Sequence, residues 1–215
     1  MPFRYPIVLE LAGRRCVVVG GGSEAERKAR ALLDAGASVL VVAADVTPGL
    51  AELERQGQLT RQARSYRRGD LDGTFLVVSC EPEHNAAVFA HAEAAGVLCN
   101  AVDDVPHCHF AAPSVLRRGD LVVAVSTGGR APALSKRLRR RLADQFGPEY
   151  ATLVDLLAEA RSEALADRPS LDFSTWAARW ESALDGTDDL IGLIATGGLE
   201  EARARLRAAL RPQRS

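Results

Sequence analysis

Short apolar runs alternate with longer segments of helical character over the first half of the chain. Four runs rich in β-branched residues are too short for helices and predict buried strands; they lie at 16–19, 38–43, 75–80 and 97–102. Helices are predicted at 24–33 and 84–95. This alternation predicts an α/β fold with a Rossmann-like, doubly wound parallel sheet, which binds ligands at the carboxyl ends of its strands.

The second half of the chain begins with a further strand-like run at 121–126, followed by a glycine-rich turn and a basic helix after Pro132. Helical periodicity then continues to Leu210. Gly147 with Pro148, and the stretch 167–170, have the composition of joints. We therefore expect three parts, a Rossmann-like domain, an intermediate segment and a small helical domain, at 1–112, 113–147 and 148–215.

Glycines separate the first predicted strand from the first predicted helix. Gly20-x-Gly22-x-x-Ala25 fits the dinucleotide-binding fingerprint. In that fingerprint the first glycine allows a tight turn, the second lets the backbone approach a pyrophosphate, and a small third residue lets the helix pack closely. The amides that open the helix would face the phosphates. The alternative is an ordinary strand-to-helix turn in a parallel sheet.

Polar residues follow two of the other predicted strands. Asp45 lies 20 residues after Ala25, close to where a ribose-binding acid is expected, which favours NAD over NADP. It could equally start the turn into Thr47. Asp103 follows the strand at 97–102 and could act as a general base or could cap the turn before Pro106.

Charge is balanced over the whole chain but not along it. The 215 residues carry a formal net charge of −1, so nothing global indicates a nucleic-acid partner. Between 114 and 141, however, eight basic residues stand against the single acid Asp120; they are Arg117, Arg118, Arg130, Lys136, Arg137, Arg139, Arg140 and Arg141. A polyanionic ligand, a solvated helix face and a nucleic-acid patch all fit this pattern, although the stretch lacks the interleaved aromatics that nucleic-acid binding favours.

Neither a membrane nor a bound metal is indicated. No apolar segment approaches the length of a bilayer span and no signal pattern opens the chain, so we expect a cytoplasmic protein without a membrane partner. The four cysteines show no paired metal-ligand spacing. His107 and His109 share one face of an extended segment, but two ligands do not define a site. We predict no metal-ligating residues.

The chain resembles the precorrin-2 dehydrogenase and sirohydrochlorin ferrochelatase family, which forms the N-terminal module of siroheme synthases. The resemblance covers roughly the first two-thirds of the chain and is carried by segments in the family's order; these are 6–11, 19–22, 25–29, 99–104, 110–114 and 125–132.

The resemblance implies NAD-dependent oxidation of precorrin-2 to sirohydrochlorin, followed by insertion of ferrous ion as a second substrate to give siroheme. It makes Asp103 the catalytic residue. The implied cofactor contacts are Gly20, Gly22, Ser23, Glu24, Ala44, Asp45 and Cys80. The implied substrate contacts are Ser126, Thr127, Gly128, Arg130, Lys136 and Arg137.

The resemblance also implies a homodimer that pairs through the segment 113–147. The chain has no room for the methyltransferase module of the larger fused enzymes, so we expect a stand-alone form. Two alternatives stay open: a dehydrogenase without chelatase activity, and a nonenzymatic NAD-binding redox sensor. No helix-turn-helix or basic extension supports a sensor that binds nucleic acid.

Overall fold

A computed structural model describes residues 5–166 and 173–210. They divide into two compact units. The first comprises Met1–Ala112 with Gly128–Arg130, and the second comprises Pro113–Thr127 with Ala131–Ser215. Each unit is described by itself below.

The first unit is built on a five-stranded sheet in which every neighbouring pair of strands is parallel. Its strands are β1 (Arg15–Val19), β2 (Ser38–Val42), β3 (Leu59–Gln62), β4 (Leu76–Ser79) and β5 (Leu98–Ala101). Their order in the sheet is β3-β2-β1-β4-β5. The strand order therefore reverses beside β1, which is where an open α/β sheet forms its ligand crevice.

Helices cover both faces of this sheet. The inner strands are therefore buried on both sides and carry apolar residues on both. The helices are α1 (Ser23–Leu33), α2 (Pro48–Arg55) and α3 (Pro82–Ala95). Val18 of β1 packs in one core cluster with Ala25 and Ala29 of α1. Its neighbour Val17 packs in the opposite cluster with Val88 of α3. The predicted doubly wound, Rossmann-like sheet is confirmed.

One strand and one α-helix of the first unit were not predicted. Strand β3 has the sequence Leu-Thr-Arg-Gln and only Leu59 is buried, because β3 lies at the edge of the sheet. Helix α2 begins after Thr47, whose hydroxyl oxygen accepts a hydrogen bond from the amide of Leu50 at 3.2 Å. Threonine is a favoured residue at this cap position.

The second unit combines a hairpin with helices. Strands β6 (Ser114–Arg118) and β7 (Leu121–Val125) pair in an antiparallel two-stranded sheet. The predicted strand at 121–126 thus pairs with β6 and not with the parallel sheet. The helices are α4 (Pro132–Gln145), α5 (Glu149–Ala166), α6 (Phe173–Leu184), α7 (Thr187–Ala195) and α8 (Leu199–Leu210).

Two features order the second unit. Arg118 of β6 donates a hydrogen bond to the carbonyl of Phe146 at 2.8 Å, which fixes the hairpin to the end of α4. Leu153, Leu190 and Leu206 belong to one buried cluster that holds α5, α7 and α8 together. The predicted joint at Gly147 and Pro148 separates α4 from α5, whereas the predicted joint at 167–170 lies outside the described residues. The boundary between 113–147 and 148–215 stays a prediction.

In the described ranges, 5–166 and 173–210, no helix has both the length and the apolar character needed to cross a membrane.

Candidate active site

Four neighbouring strands of the parallel sheet end at the same edge, and the predicted cofactor and catalytic residues follow those ends. The glycine turn follows β1, Ala44 and Asp45 follow β2, Cys80 follows β4, and Asp103 follows β5. This edge, called the carboxyl edge below, is where open parallel sheets bind their ligands.

The glycine turn is tight at its start and open at its end. Gly20 has φ +116°, and a Cβ there would lie 3.1 Å from Cγ of Glu81. A Cβ at Gly21 would lie 1.8 Å from the carbonyl oxygen of Asp45. A Cβ at Gly22 would meet nothing within 4 Å. The first two glycines therefore let the turn pass between the ends of β2 and β4, and Gly22 presents its backbone to open space.

The start of α1 offers hydrogen-bond donors without acceptors. Gly22 is the N-cap and supplies no side-chain cap. Its carbonyl accepts the amide of Glu26 at 3.0 Å, and within the described part of the chain the amides of Ser23 and Glu24 have no acceptor. Open amides at the positive end of a helix dipole fit a phosphate group. The turn therefore fits the pyrophosphate of a dinucleotide.

Glu24 adds little negative charge at this point, because its carboxylate is neutralised within α1. The Nε of Arg27 donates to Oε2 of Glu24 at 2.9 Å. This hydrogen bond is the main cause that lowers the pKa of Glu24, against the effect of burial.

The end of β2 shows which residues remain available to a ligand. Thr47, and not Asp45, caps α2. The Asp45 carboxylate is exposed and has no hydrogen bond in the described ranges. Arg61, which the sequence showed only as part of a basic stretch, donates from Nε to the carbonyl of Ala43 at 3.2 Å and from Nη2 to the carbonyl of Ala44. The Asp45 carboxylate is thus available to a ligand, whereas the Arg61 guanidinium already donates hydrogen bonds to the backbone.

Two adjacent carboxylates after β5 differ sharply in their surroundings. Asp103 has φ 58° and is the one non-glycine residue with positive φ among those described. Its side chain is exposed and has no hydrogen bond or ion pair in that part of the chain. Asp104 accepts a hydrogen bond at Oδ2 from Asn85 at 3.2 Å and pairs with Nδ1 of His107 at 2.8 Å. Asp104 therefore fixes the loop, and Asp103 can meet a ligand.

Cys80 and Lys28 lie near these groups. Burial raises the pKa of the Cys80 thiol to about 12, so it is protonated at neutral pH and is not a nucleophile. Lys28 is a residue that sequence reasoning did not assign, although it lies in the family-like segment 25–29. Its side chain is only 14% exposed, and its Nζ lies 3.8 Å from Oε1 of Glu24.

The histidines contact separate partners. His107 pairs with Asp104, whereas Nδ1 of His109 accepts the amide of Cys99 at 3.0 Å and its Nε2 pairs with Glu93. The described residues contain no group of three or more side chains that could together hold a metal ion.

The predicted substrate residues lie on both units. Gly128 and Arg130 belong to the first unit; Ser126, Thr127, Lys136 and Arg137 belong to the second. Thr127 Oγ1 accepts the amide of Ala131 at 3.0 Å, which holds the turn before α4.

The basic side chains of α4 form no ion pair with any acid of the described chain. They are Lys136, Arg137, Arg139, Arg140 and Arg141. Helix α4 therefore presents uncompensated positive charge.

Two family profiles match the chain. One, described as "Putative NAD(P)-binding", matches residues 7–114. The other, described as "Sirohaem biosynthesis protein central", matches residues 118–145. The first profile covers the parallel sheet, and the second covers β7 and α4.

Curated relatives carry the name siroheme synthase. The protein from Chromobacterium violaceum is 39% identical over 94% of this chain and 43% of its own length. The protein from Pseudomonas entomophila is 40% identical over 84% of this chain and 39% of its own length. The chain thus spans about two fifths of the length of these relatives.

A solved structure is similar over nearly the whole chain. It is named SirC, precorrin-2 dehydrogenase, and it superimposes with a TM-score of 0.75 at 27% sequence identity. The match covers 96% of this chain and 98% of that chain.

Proposed function

The chain belongs to the family described as "Putative NAD(P)-binding" and also matches the central region of sirohaem biosynthesis proteins, and we propose that it oxidises precorrin-2 to sirohydrochlorin with NAD. The observation that carries this proposal is the exposed, unpaired carboxylate of Asp103 at the same carboxyl edge as the open glycine turn. The similarity to a precorrin-2 dehydrogenase over 98% of that chain supports the choice of reaction.

NAD is the proposed cofactor. The amides of Gly22, Ser23 and Glu24 would hold its pyrophosphate, with Cys80 and Gly20 shaping the turn beside it. The free carboxylate of Asp45, next to Ala44, would bind ribose hydroxyls. Arg61 is engaged by two backbone carbonyls and is not available to a 2′-phosphate, which favours NAD over NADP. The bound nicotinamide would supply the hydride acceptor.

Asp103 is the proposed general base. Dehydrogenation removes two electrons and one proton from precorrin-2 as hydride, and a second proton must go to a base. An exposed carboxylate without a competing hydrogen bond can take that proton and release it to water. The carboxylate of Asp104 is held in the loop by the contacts of its Oδ2 with Asn85 and His107 and is less exposed, which favours Asp103 as the base.

Substrate binding is proposed for the turn before α4 and for the start of that helix. Precorrin-2 carries many carboxylates, and the uncompensated cations Arg130, Lys136 and Arg137 suit such a polyanion. Ser126, Thr127 and Gly128 would contribute hydroxyl and backbone groups.

Insertion of ferrous ion into sirohydrochlorin is the proposed second reaction. Ferrous ion is here a substrate, and the ring nitrogens coordinate it as their protons leave. The Asp103 carboxylate would accept these protons as well. The relatives named siroheme synthase favour this addition.

A homodimer is the proposed assembly, because one face of the hairpin carries exposed apolar side chains beside Arg117. Val122 is 36% exposed and shares the outer face of the hairpin with Ala124 and Val115. An isolated two-stranded sheet is marginally stable and gains from burying such a face. A second copy would supply the matching surface.

The decisive experiment mixes the protein with precorrin-2 and either NAD or NADP and follows the absorbance of sirohydrochlorin. We expect rapid conversion with NAD. NAD binding without any conversion would instead indicate the redox-sensor alternative. Anaerobic addition of ferrous ion to sirohydrochlorin and protein then tests chelation, and a rate equal to that without protein would identify a dehydrogenase only.

A further inference from the structure

Lys28 carries a largely buried positive charge, and within the described ranges no carboxylate oxygen lies within hydrogen-bond distance of its ammonium. It lies in the second turn of α1, and its side chain is 14% exposed. Glu24 Oε1, at 3.8 Å, is the one carboxylate oxygen within 4 Å of its ammonium among the described residues. That distance exceeds hydrogen-bond range.

The carboxylate of Glu24, which lies nearest to Lys28, is already hydrogen-bonded to Arg27. Glu24 receives hydrogen bonds from both Nε and Nη2 of Arg27, the first at 2.9 Å. Burial is the largest cause that lowers the pKa of Lys28, followed by repulsion from Arg27. A buried ammonium without a full partner is costly, and an arriving anion would remove much of that cost.

The surroundings of Lys28 indicate where such an anion would lie. Beyond α1, its electrostatic neighbours are Cys80 and Asp103, which follow β4 and β5. The charge of Lys28 is also one of the causes that lower the pKa of Cys108, in the loop after β5, against the larger effect of burial. Asp45, the proposed ribose contact, follows β2 instead. Lys28 thus belongs to the part of the carboxyl edge that contains the proposed general base.

We propose that the Lys28 ammonium binds a carboxylate of the tetrapyrrole beside Asp103. This inference rests on the proposed function and adds a substrate contact to it. A phosphate of the dinucleotide is the other anion with suitable chemistry, but the open amides at the start of α1 already serve that group. The ion pair would fix the ring relative to the carboxylate that accepts its proton.

The test compares Lys28→Met with Lys28→Arg and with the control Arg30→Met. Methionine keeps the length of the side chain and removes a buried charge, so the variant should fold; Lys28→Gln serves as a second neutral variant. Arg30 lies on the same helix, is 49% exposed and pairs with Glu26 at 2.8 Å. Thermal unfolding checks the fold, and titrations with sirohydrochlorin and with NAD give the two dissociation constants.

We expect both neutral variants to raise the Kd for sirohydrochlorin and the KM for precorrin-2 about tenfold, the usual scale for one charge-assisted contact. The Kd for NAD should stay within about twofold. Lys28→Arg should restore most of the affinity, and Arg30→Met should change neither ligand.

A parallel rise in the Kd for NAD would overturn the inference and assign Lys28 to the dinucleotide. Unchanged affinity for sirohydrochlorin in folded neutral variants would overturn it as well, while leaving the proposed function intact. If the wild-type protein itself binds no sirohydrochlorin, the proposed function fails together with this inference.

Discussion

The left-handed backbone at Asp103 is unusual for a side chain with a Cβ, and aspartate and asparagine tolerate it best. Asp103→Asn should therefore keep the loop and remove the base. We expect kcat for dehydrogenation to fall by about a hundredfold or more, the scale of a positioned general base, with the Kd for NAD unchanged. Single-turnover absorbance measurements would check this.

Asp104→Asn is the matched control, because Asp104 contacts Asn85 and His107. It should lower the thermal unfolding temperature and leave kcat close to that of the wild type. The reverse result, an indispensable Asp104 and a dispensable Asp103, would show that Asp104 is the general base. If neither replacement changes kcat, positioning alone would have to account for the reaction.

The glycine turn gives a second prediction at the scale of single residues. Gly22→Asp places its side chain in open space, so the protein should fold, but the added carboxylate should abolish NAD binding by opposing the pyrophosphate. Gly21→Ala makes the opposite test, since its Cβ would lie 1.8 Å from the carbonyl oxygen of Asp45. That variant should lower the unfolding temperature. NAD titration and thermal unfolding separate the two effects, and undiminished NAD affinity in Gly22→Asp would place the cofactor elsewhere.

Positions that follow from the order of strands could be predicted from the sequence, whereas burial and contacts could not. Asp103 follows an apolar run, so its place at the carboxyl edge needed only the fold class. Lys28 and Arg61 looked like ordinary charged residues of a helix and a polar stretch. The interest of Lys28 comes from the burial of its side chain, and that of Arg61 from its hydrogen bonds to the carbonyls of Ala43 and Ala44. Both features arise only on folding.

At the scale of elements, burial separates the strands that could be predicted from the sequence from those that could not. The cores of β1 and β2 are apolar on both faces because helices cover both sides of the sheet, and such runs are visible in a sequence. The missed strands β3 and β6 contain arginines and have exposed positions. A strand at the edge of a sheet or in a two-stranded hairpin does not need a continuous apolar run.

Helix α4 gives the element-scale prediction. Neutralising Arg137 with Arg141, or Arg139 with Arg140, to glutamine should weaken sirohydrochlorin binding several-fold and leave NAD binding unchanged, because none of these cations forms an ion pair with an acid among the described residues. The loss should be larger at low salt, where charge is least screened. Titrations at two ionic strengths check this. Equal losses for both ligands would indicate a structural role for the helix.

At the scale of the whole molecule, the two units contribute different chemistry. The first carries the open glycine turn and the carboxylate of Asp103, and the second carries the basic helix α4. The two family profiles follow a similar division along the chain. The proposed reaction needs both contributions, since a hydride acceptor without a polyanion-binding surface would not select a tetrapyrrole.

The hairpin supplies the last prediction, on assembly. Val122 lies opposite Arg117 on the outer face of β6 and β7 and is 36% exposed. In a homodimer that buries this face, Val122→Glu would replace an apolar contact by a carboxylate that has to leave water together with Arg117, which is costly. We expect light scattering after size-exclusion chromatography to give twice the chain mass for the wild type and the single-chain mass for Val122→Glu. Leu184→Glu makes the same change at a residue of α6 that is 41% exposed and should stay dimeric. A wild type that is monomeric at all concentrations, or a Val122→Glu variant that stays dimeric, would exclude the hairpin face as the contact between copies.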